Sequence, residues 1–382
     1  MKFHQSHLAY CTNIHPAETW AETFAVLKTH VLTVRELLRA AGSLGKEKAF
    51  AIGLRLSAVA ARELLEGDHL VDLKNWLEQT NTYVFTINGF PYGSFHGTRV
   101  KEQVFKPDWT EQARVDYTKN LFRILAAIAR PGTGASVSTL PGSHKTFHAD
   151  EAPIRRNLIA LASWLEELAE QTGHDFHLGL EPEPLGHFED TVETLAFFER
   201  LHDEAPDAEI LRRRIGVNFD TCHFALEYNA VQASLDVMVH SGIRISKIHL
   251  SSALVLDPRD PAAVEAIRAF DEPTYFHQVL VLGSEATITR FVDLPDFLNA
   301  GEVAGAVEAR VHFHIPLDAE PSPPLRSTRL DAEAVLEWRR DNPGACQHYE
   351  IETYTWGVLP DELQRPVEEQ IAGEYKWVLA NA

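Results

Sequence analysis

The chain has 382 residues, is 45% hydrophobic, and carries a formal charge of −20 from 35 basic and 55 acidic residues. That is enough apolar sequence for a large core, and so negative a net charge repels phosphate backbones, so no nucleic-acid partner is expected. Three scattered cysteines (Cys11, Cys222, Cys346) form no CxxC pair, and no apolar stretch is long enough to span a bilayer, so a cytoplasmic protein without membrane insertion is expected.

The first β-type run is "HLAYCTNI" (7–14). A helical pattern follows, with Trp20, Phe24, Leu27, Val31 and Leu38 along one stripe. "FAIGLRLS" (50–57) and "TYVFTING" (82–89) come next, then a long aromatic-rich loop over 89–112. "GASVSTLPG" (134–142) precedes an amphipathic segment that Gly173 should stop. "FHLGLEPEP" (176–184), "IGVNFDTCH" (215–223) and "ISKIHLSSA" (245–253) follow, with a further helix from Thr191. Residues 254–345 form a second long insertion, which holds a β-like "ARVHFHIPLD". "CQHYEIETYTW" (346–356) is the eighth run.

Most of these runs start near-continuously apolar, as strands buried on both faces do. Their alternation with helices demands parallel pairing through right-handed crossovers. The prediction is one α/β domain over 1–382, a single (β/α)8 TIM barrel with ordered insertions after strands three and seven. Both insertions should lie over the C-terminal face, where barrel active sites form. Neither GxGxxG nor GxxxxGK[ST] occurs, so no nucleotide cofactor is expected.

Four consecutive runs end in ligand-type residues: Glu181, Asp220, His249 and Glu352. On a barrel these endings share one rim, where three carboxylates and an imidazole are costly to bury unless a cation neutralises them. A lone carboxylate at a strand end is more often a helix cap or a solvated residue, and Glu183 and Glu350 stand close enough to compete. The joint pattern is what points to a divalent metal. Oxygen-rich ligation suits Mn²⁺ or Mg²⁺ best, with Co²⁺, Fe²⁺ and Zn²⁺ compatible.

The endings "LEPEP", "NFDTCH", "KIHLSS" and "EIETY" resemble the strand-end ligands of xylose-isomerase-like TIM barrels, a group of sugar isomerases, ketose 3-epimerases and family 2 apurinic (AP) endonucleases. Over nearly the full length, "YCTNIHP", "NGFPYGSFHG", "FKPDW", "EPTYFH", "RVHFHIP" and "ETYTW" resemble the EboE family of metabolite-traffic proteins. The first resemblance implies Glu181, Asp220, His249 and Glu352 as metal ligands and His223 as the DxxH histidine. The second implies a small sugar-like or cyclitol-like metabolite. The endonuclease branch takes further ligands from strand two and from a DxH motif. Here strand two offers Arg55 and Ser57, and "HFH" supplies His312 and His314 without the Asp.

In this setting a metal would polarise a carbonyl, Glu181 could lift the neighbouring proton, and Glu352 could return one through an enediolate, giving isomerisation or epimerisation. His223, Asn88, Tyr92, His96 and Trp356 are the candidate substrate-binding residues. His312 and His314 are candidates for a second metal or for substrate. Two arrangements of "VHFHIP" are open: histidines outward as bystanders, or inward at the site. The inward one is preferred, because two same-face histidines on an outer surface have no evident use. A metabolite carrier that keeps the pocket without turnover is the alternative; a nuclease fits the charge least.

Overall fold

The computed structural model describes residues 1–94 and 101–382. Eight parallel strands form the barrel: β1 (Ser6–Tyr10), β2 (Phe50–Arg55), β3 (Thr82–Asn88), β4 (Ala135–Thr139), β5 (Phe176–Leu180), β6 (Ile215–Asp220), β7 (Arg244–Leu250) and β8 (His348–Ile351), and a ninth short strand, Lys2–Phe3, pairs antiparallel with β1. Each of the eight lies within or against its expected run. β2 to β8 pair in chain order, β8 returns to pair with β1, and a Cys11–Gly53 bridge joins β1 to β2, so the ring closes. Helices fill the crossovers, which makes this an α/β TIM barrel.

Local sequence explains the crossovers. Thr19 and Glu22 form a reciprocal capping box before Trp20–Val26. Asp150 caps Glu151–Thr172, and Gly173 ends it at φ 73°, a left-handed conformation that glycine adopts without strain. Asp190 caps Thr191–Glu204.

Inside the ring, polar side chains take positions that barrels usually fill with branched apolar ones. Ser136 bonds Thr86 (2.7 Å) and His348 (2.8 Å), and Lys247 reaches Ser138 (2.8 Å) and Glu350 (2.6 Å). Gly53 leaves room for this column, since a Cβ there would collide with the Glu350 carboxylate and come within 2.6 Å of the Tyr10 carbonyl.

The insertion after β7 carries a five-stranded antiparallel sheet in the order Ile288–Phe291, Val279–Gly283, Ala306–Val311, Leu254–Leu256, Arg326–Ser327. It has its own apolar cluster, which Leu359 and Leu363 from beyond β8 also join. The β-like run in this insertion is shorter than its pattern suggests. The strand stops at Val311, and His312 to Ile315 continue as irregular chain, held by His312 N–H to Gln278 O and Ile315 N–H to Ser252 O (both 2.9 Å). Among the described residues no helix is long and apolar enough to cross a membrane.

Candidate metal centre

The strand ends bring four side chains together. Glu181 directly follows β5, Asp220 ends β6, His249 is the penultimate residue of β7, and Glu352 directly follows β8. Each offers one ligand atom, all within 4.8 Å of one another, and all four residues are buried. His249 Nδ1 lies 2.9 Å from Glu352 Oε2, 3.0 Å from Glu181 Oε1 and 3.6 Å from Asp220 Oδ2.

Asp220 acts both as a helix cap and as a member of this cluster. Its Oδ1 accepts from the backbone N–H groups of Cys222 (2.7 Å) and His223 (3.2 Å) and from Ser251 Oγ (2.6 Å). Its Oδ2 is buried without a hydrogen-bond partner, as is Glu181 Oε2. Two buried carboxylate oxygens without a partner are costly, and a divalent cation is the donor set's natural complement. Burial disfavours a charged imidazole at His249, but Glu352 and Glu181 outweigh it and hold its pKa well above the usual range. One imidazolium cannot balance three carboxylates, so the residues present fit a divalent ion.

Behind His249 stands a second layer. Its Nε2 is 3.1 Å from Glu350 Oε2, and that carboxylate is paired with Lys247, both side chains fully buried. Burial pushes the Glu350 carboxyl up, but the Lys247 and His249 charges prevail and bring it to about 2. The Glu350 carboxylate accepts the Nε2 proton, which turns Nδ1 toward the cluster. The sequence carried a signal for this layer: Lys247 and His249, like Glu350 and Glu352, stand two apart on a strand and so share its inner face.

Next to this cluster lie three histidines. The His223 ring is 4.9 Å from that of His312 and 5.6 Å from that of His314. His223 Nδ1 bonds Pro182 O (3.0 Å), and Nε2 lies 3.4 Å from Glu183 Oε2. His312 Nδ1 bonds Gln278 Oε1 (2.7 Å) and His314 Nδ1 bonds Glu352 O (2.9 Å), while both Nε2 atoms are buried without partners. The pair therefore faces inward. Val311, Phe313 and Ile315 join the apolar cluster of the insertion rather than packing on the barrel. Glu183, His223 and His312 offer ligand atoms within 4.8 Å, as do Asp220, His223 and His314. Burial and the nearby carboxylates of Glu181 and Asp220 push the Glu183 carboxyl well up.

A cavity of about 100 Å³ opens onto both clusters, lined by Asn88, Glu181, Glu183, His223, His312 and Glu352 among others. Asn88 donates to Glu352 Oε1 (3.1 Å), alongside Asn13 (2.8 Å), which the sequence reading missed. Two expected substrate residues stand elsewhere. Tyr92 packs edge-on against Tyr117 at 5.0 Å, and Trp356 donates its Nε1–H to Arg365 O at 2.8 Å; neither lines the cavity. His96 lies outside the described residues. Arg55 ties its guanidinium to the carbonyls of Ala17 (2.5 Å) and Gly93 (2.6 Å), and Ser57 caps Ala58–Leu64.

No family model matches the chain, and no curated protein matches its sequence. Among solved structures it is similar to the IOLI protein with a bound zinc atom, with a TM-score of 0.50 and 13% identity, covering 98% of this chain and 97% of that one. It also matches the probable 3-DHS dehydratase AsbF of Bacillus anthracis (TM-score 0.49, 11% identity, 97% of each chain). A third match is an L-ribulose 3-epimerase (TM-score 0.38, 16% identity, 64% of this chain and 69% of that one). The neighbours are xylose-isomerase-like TIM barrels, and at these identities the likeness is one of fold.

Proposed function

We propose that the protein is a metal-dependent isomerase or epimerase acting on a sugar-like or cyclitol-like metabolite through an enediolate. The observation that carries this reading is the convergence of Glu181, Asp220, His249 and Glu352, with ligand atoms within 4.8 Å of one another in a buried site. Three carboxylates and one imidazole suit Mn²⁺ or Mg²⁺ best, with Co²⁺, Fe²⁺ and Zn²⁺ compatible; the IOLI protein, of the same fold, holds zinc. A divalent ion held by these four residues supplies Lewis-acid polarisation of a substrate carbonyl.

The chain's own residues supply the rest. Glu181 lifts the proton from the carbon beside the carbonyl. Glu352, three strands round the ring and fixed by Asn13 and Asn88, returns one to the other face or the neighbouring carbon. His223, pinned through Nδ1, offers Nε2 to a substrate hydroxyl. His312 and His314 close the site from the insertion, as ligands of a second metal or of substrate. The insertion helps to exclude water from the enediolate. The buried free cysteines fit a cytoplasmic setting.

The experiment is solvent exchange. The Mn²⁺-loaded protein is incubated in D₂O with 2-ketohexoses, keto-cyclitols and their alkyl and aryl glycosides or ethers, and NMR follows the C–H signals beside the carbonyl. Deuterium is expected on carbon with the wild type, and none with a His249→Ala variant or after chelation. Metal-dependent binding without label in any compound would favour the second reading, the EboE-like metabolite carrier. Full metal content and labelling in His249→Ala would overturn both.

A further inference from the structure

The cavity in front of the metal ligands has two unlike halves. Its floor is ionic, and its outer wall is built from Phe90, Val104, Phe105, Tyr275, Phe276 and Tyr354. The wall is pre-formed: Phe90 meets Phe105 edge-on at 5.2 Å, and Tyr275 meets Tyr354 at 5.3 Å. The polar side chains between the halves already hold one another. Asn13 and Asn88 donate to Glu352, and Gln278 bonds His312.

Charge is neutralised in the same way. The one cation among the described lining residues, Lys101, is 2.5 Å from Asp293 and sits over the Phe276 ring at 4.7 Å. Lys145 and Arg290 are likewise engaged, by Glu189 and Glu193 and by Glu227. A phosphorylated ligand therefore meets no free cation among the described residues. A bare polyol would find partners at the floor, where Glu181 Oε2 and His312 Nε2 are free, but would bring its remaining hydroxyl groups against the aromatic faces of the outer wall, and each group desolvated without a partner lowers affinity.

We infer that the ligand is amphiphilic: an oxygen-chelating head, a hydroxy-ketone or vicinal diol, joined to an apolar aromatic or alkyl substituent. A glycoside or ether of a sugar or cyclitol has this form; a free sugar or a sugar phosphate does not. This deepens the reading above and rests on its metal floor. The head reaches the ligands while the substituent lies on the wall, where apolar burial and ring contacts favour it.

The test uses two chelators that share a head and differ in the arm. Acetohydroxamate and benzohydroxamate are titrated by calorimetry into the Mn²⁺-loaded protein, before and after chelation of the metal. Benzohydroxamate is expected to bind at least about tenfold tighter. Phe276→Ala, at a half-buried position, should reduce that advantage to within about threefold while leaving acetohydroxamate affinity nearly unchanged. Phe105→Ala, with its fold checked by circular dichroism, provides a second variant. Equal affinity for both chelators in the wild type, or an advantage that survives both substitutions, overturns the amphiphilic ligand and leaves the metal floor standing. Failure of both chelators to bind in a metal-dependent way overturns the floor and the inference together.

Discussion

At the residue scale, the centre depends on side chains that do not touch the cavity. Glu350 orients His249, and Lys247 balances Glu350, in a space that Gly53 keeps open. Removing one member of the pair would strand a buried charge at a cost of about 3–5 kcal/mol, so the informative variants change both. Lys247→Met with Glu350→Gln keeps an acceptor for His249 Nε2. Lys247→Met with Glu350→Leu removes it. Mn²⁺ affinity in the first is expected within about threefold of wild type, and in the second to fall by about 10–100-fold. Titration followed by the free Mn²⁺ signal in electron paramagnetic resonance, with circular dichroism to check folding, decides this; equal affinities would reduce the Glu350 contact to packing.

At the element scale, the four-residue cluster was legible because of where barrel chemistry stands. A ligand at a strand end leaves a carboxylate or imidazole breaking an apolar run, and four breaks in consecutive runs are visible without coordinates. The cap reading of Asp220 and the ligand reading were never alternatives, since a carboxylate has two oxygens and one of them caps the helix. The cavity wall was not legible. Phe90 and Phe105 come from the loop after β3, Tyr275 and Phe276 from the insertion, and Tyr354 from beyond β8, and nothing local in any segment marks them as neighbours. Tyr92 and Trp356 were expected at the site because they flank its strands, yet flanking residues can turn to either side of a loop. His312 and His314 were legible in spacing and not in support: the Nδ1 bonds to Gln278 and Glu352 O leave Nε2 of each facing the site. On the second-metal reading, substituting both by Ala lowers the bound metal from two equivalents to one, measured by elemental analysis on folded protein. Unchanged stoichiometry would return them to substrate or structural roles.

At the scale of the whole molecule, one buried carboxyl ties three parts together. Glu374, on the C-terminal helix Val367–Asn381, accepts from Thr353 Oγ1 (2.6 Å) beyond β8 and from Leu317 N–H (3.1 Å) within the insertion. Burial raises its pKa from 4.5 to about 7. The folded state thus holds this proton more tightly than the unfolded chain. The stability it contributes is full below about pH 4.5 and is lost as pH rises through about 7, about 3 kcal/mol in all. Urea unfolding at pH 5 and pH 8 should therefore show a larger drop for wild type than for Glu374→Gln. Parallel drops in the two proteins would show that the group is not buried as a neutral acid.

The apolar cluster of the insertion borrows Leu359 and Leu363 from the segment after β8. The cap on this barrel is therefore spliced from two stretches of chain with a barrel strand between them. It is not a cassette that can be cut out or transplanted at its two ends. Excising 254–345 would leave an oily scar on the far side of β8, and a graft onto a plain barrel would arrive with its underside unsealed. A relative that lacks the cap must have rewritten its C-terminal segment as well, so the two regions are expected to be gained and lost together.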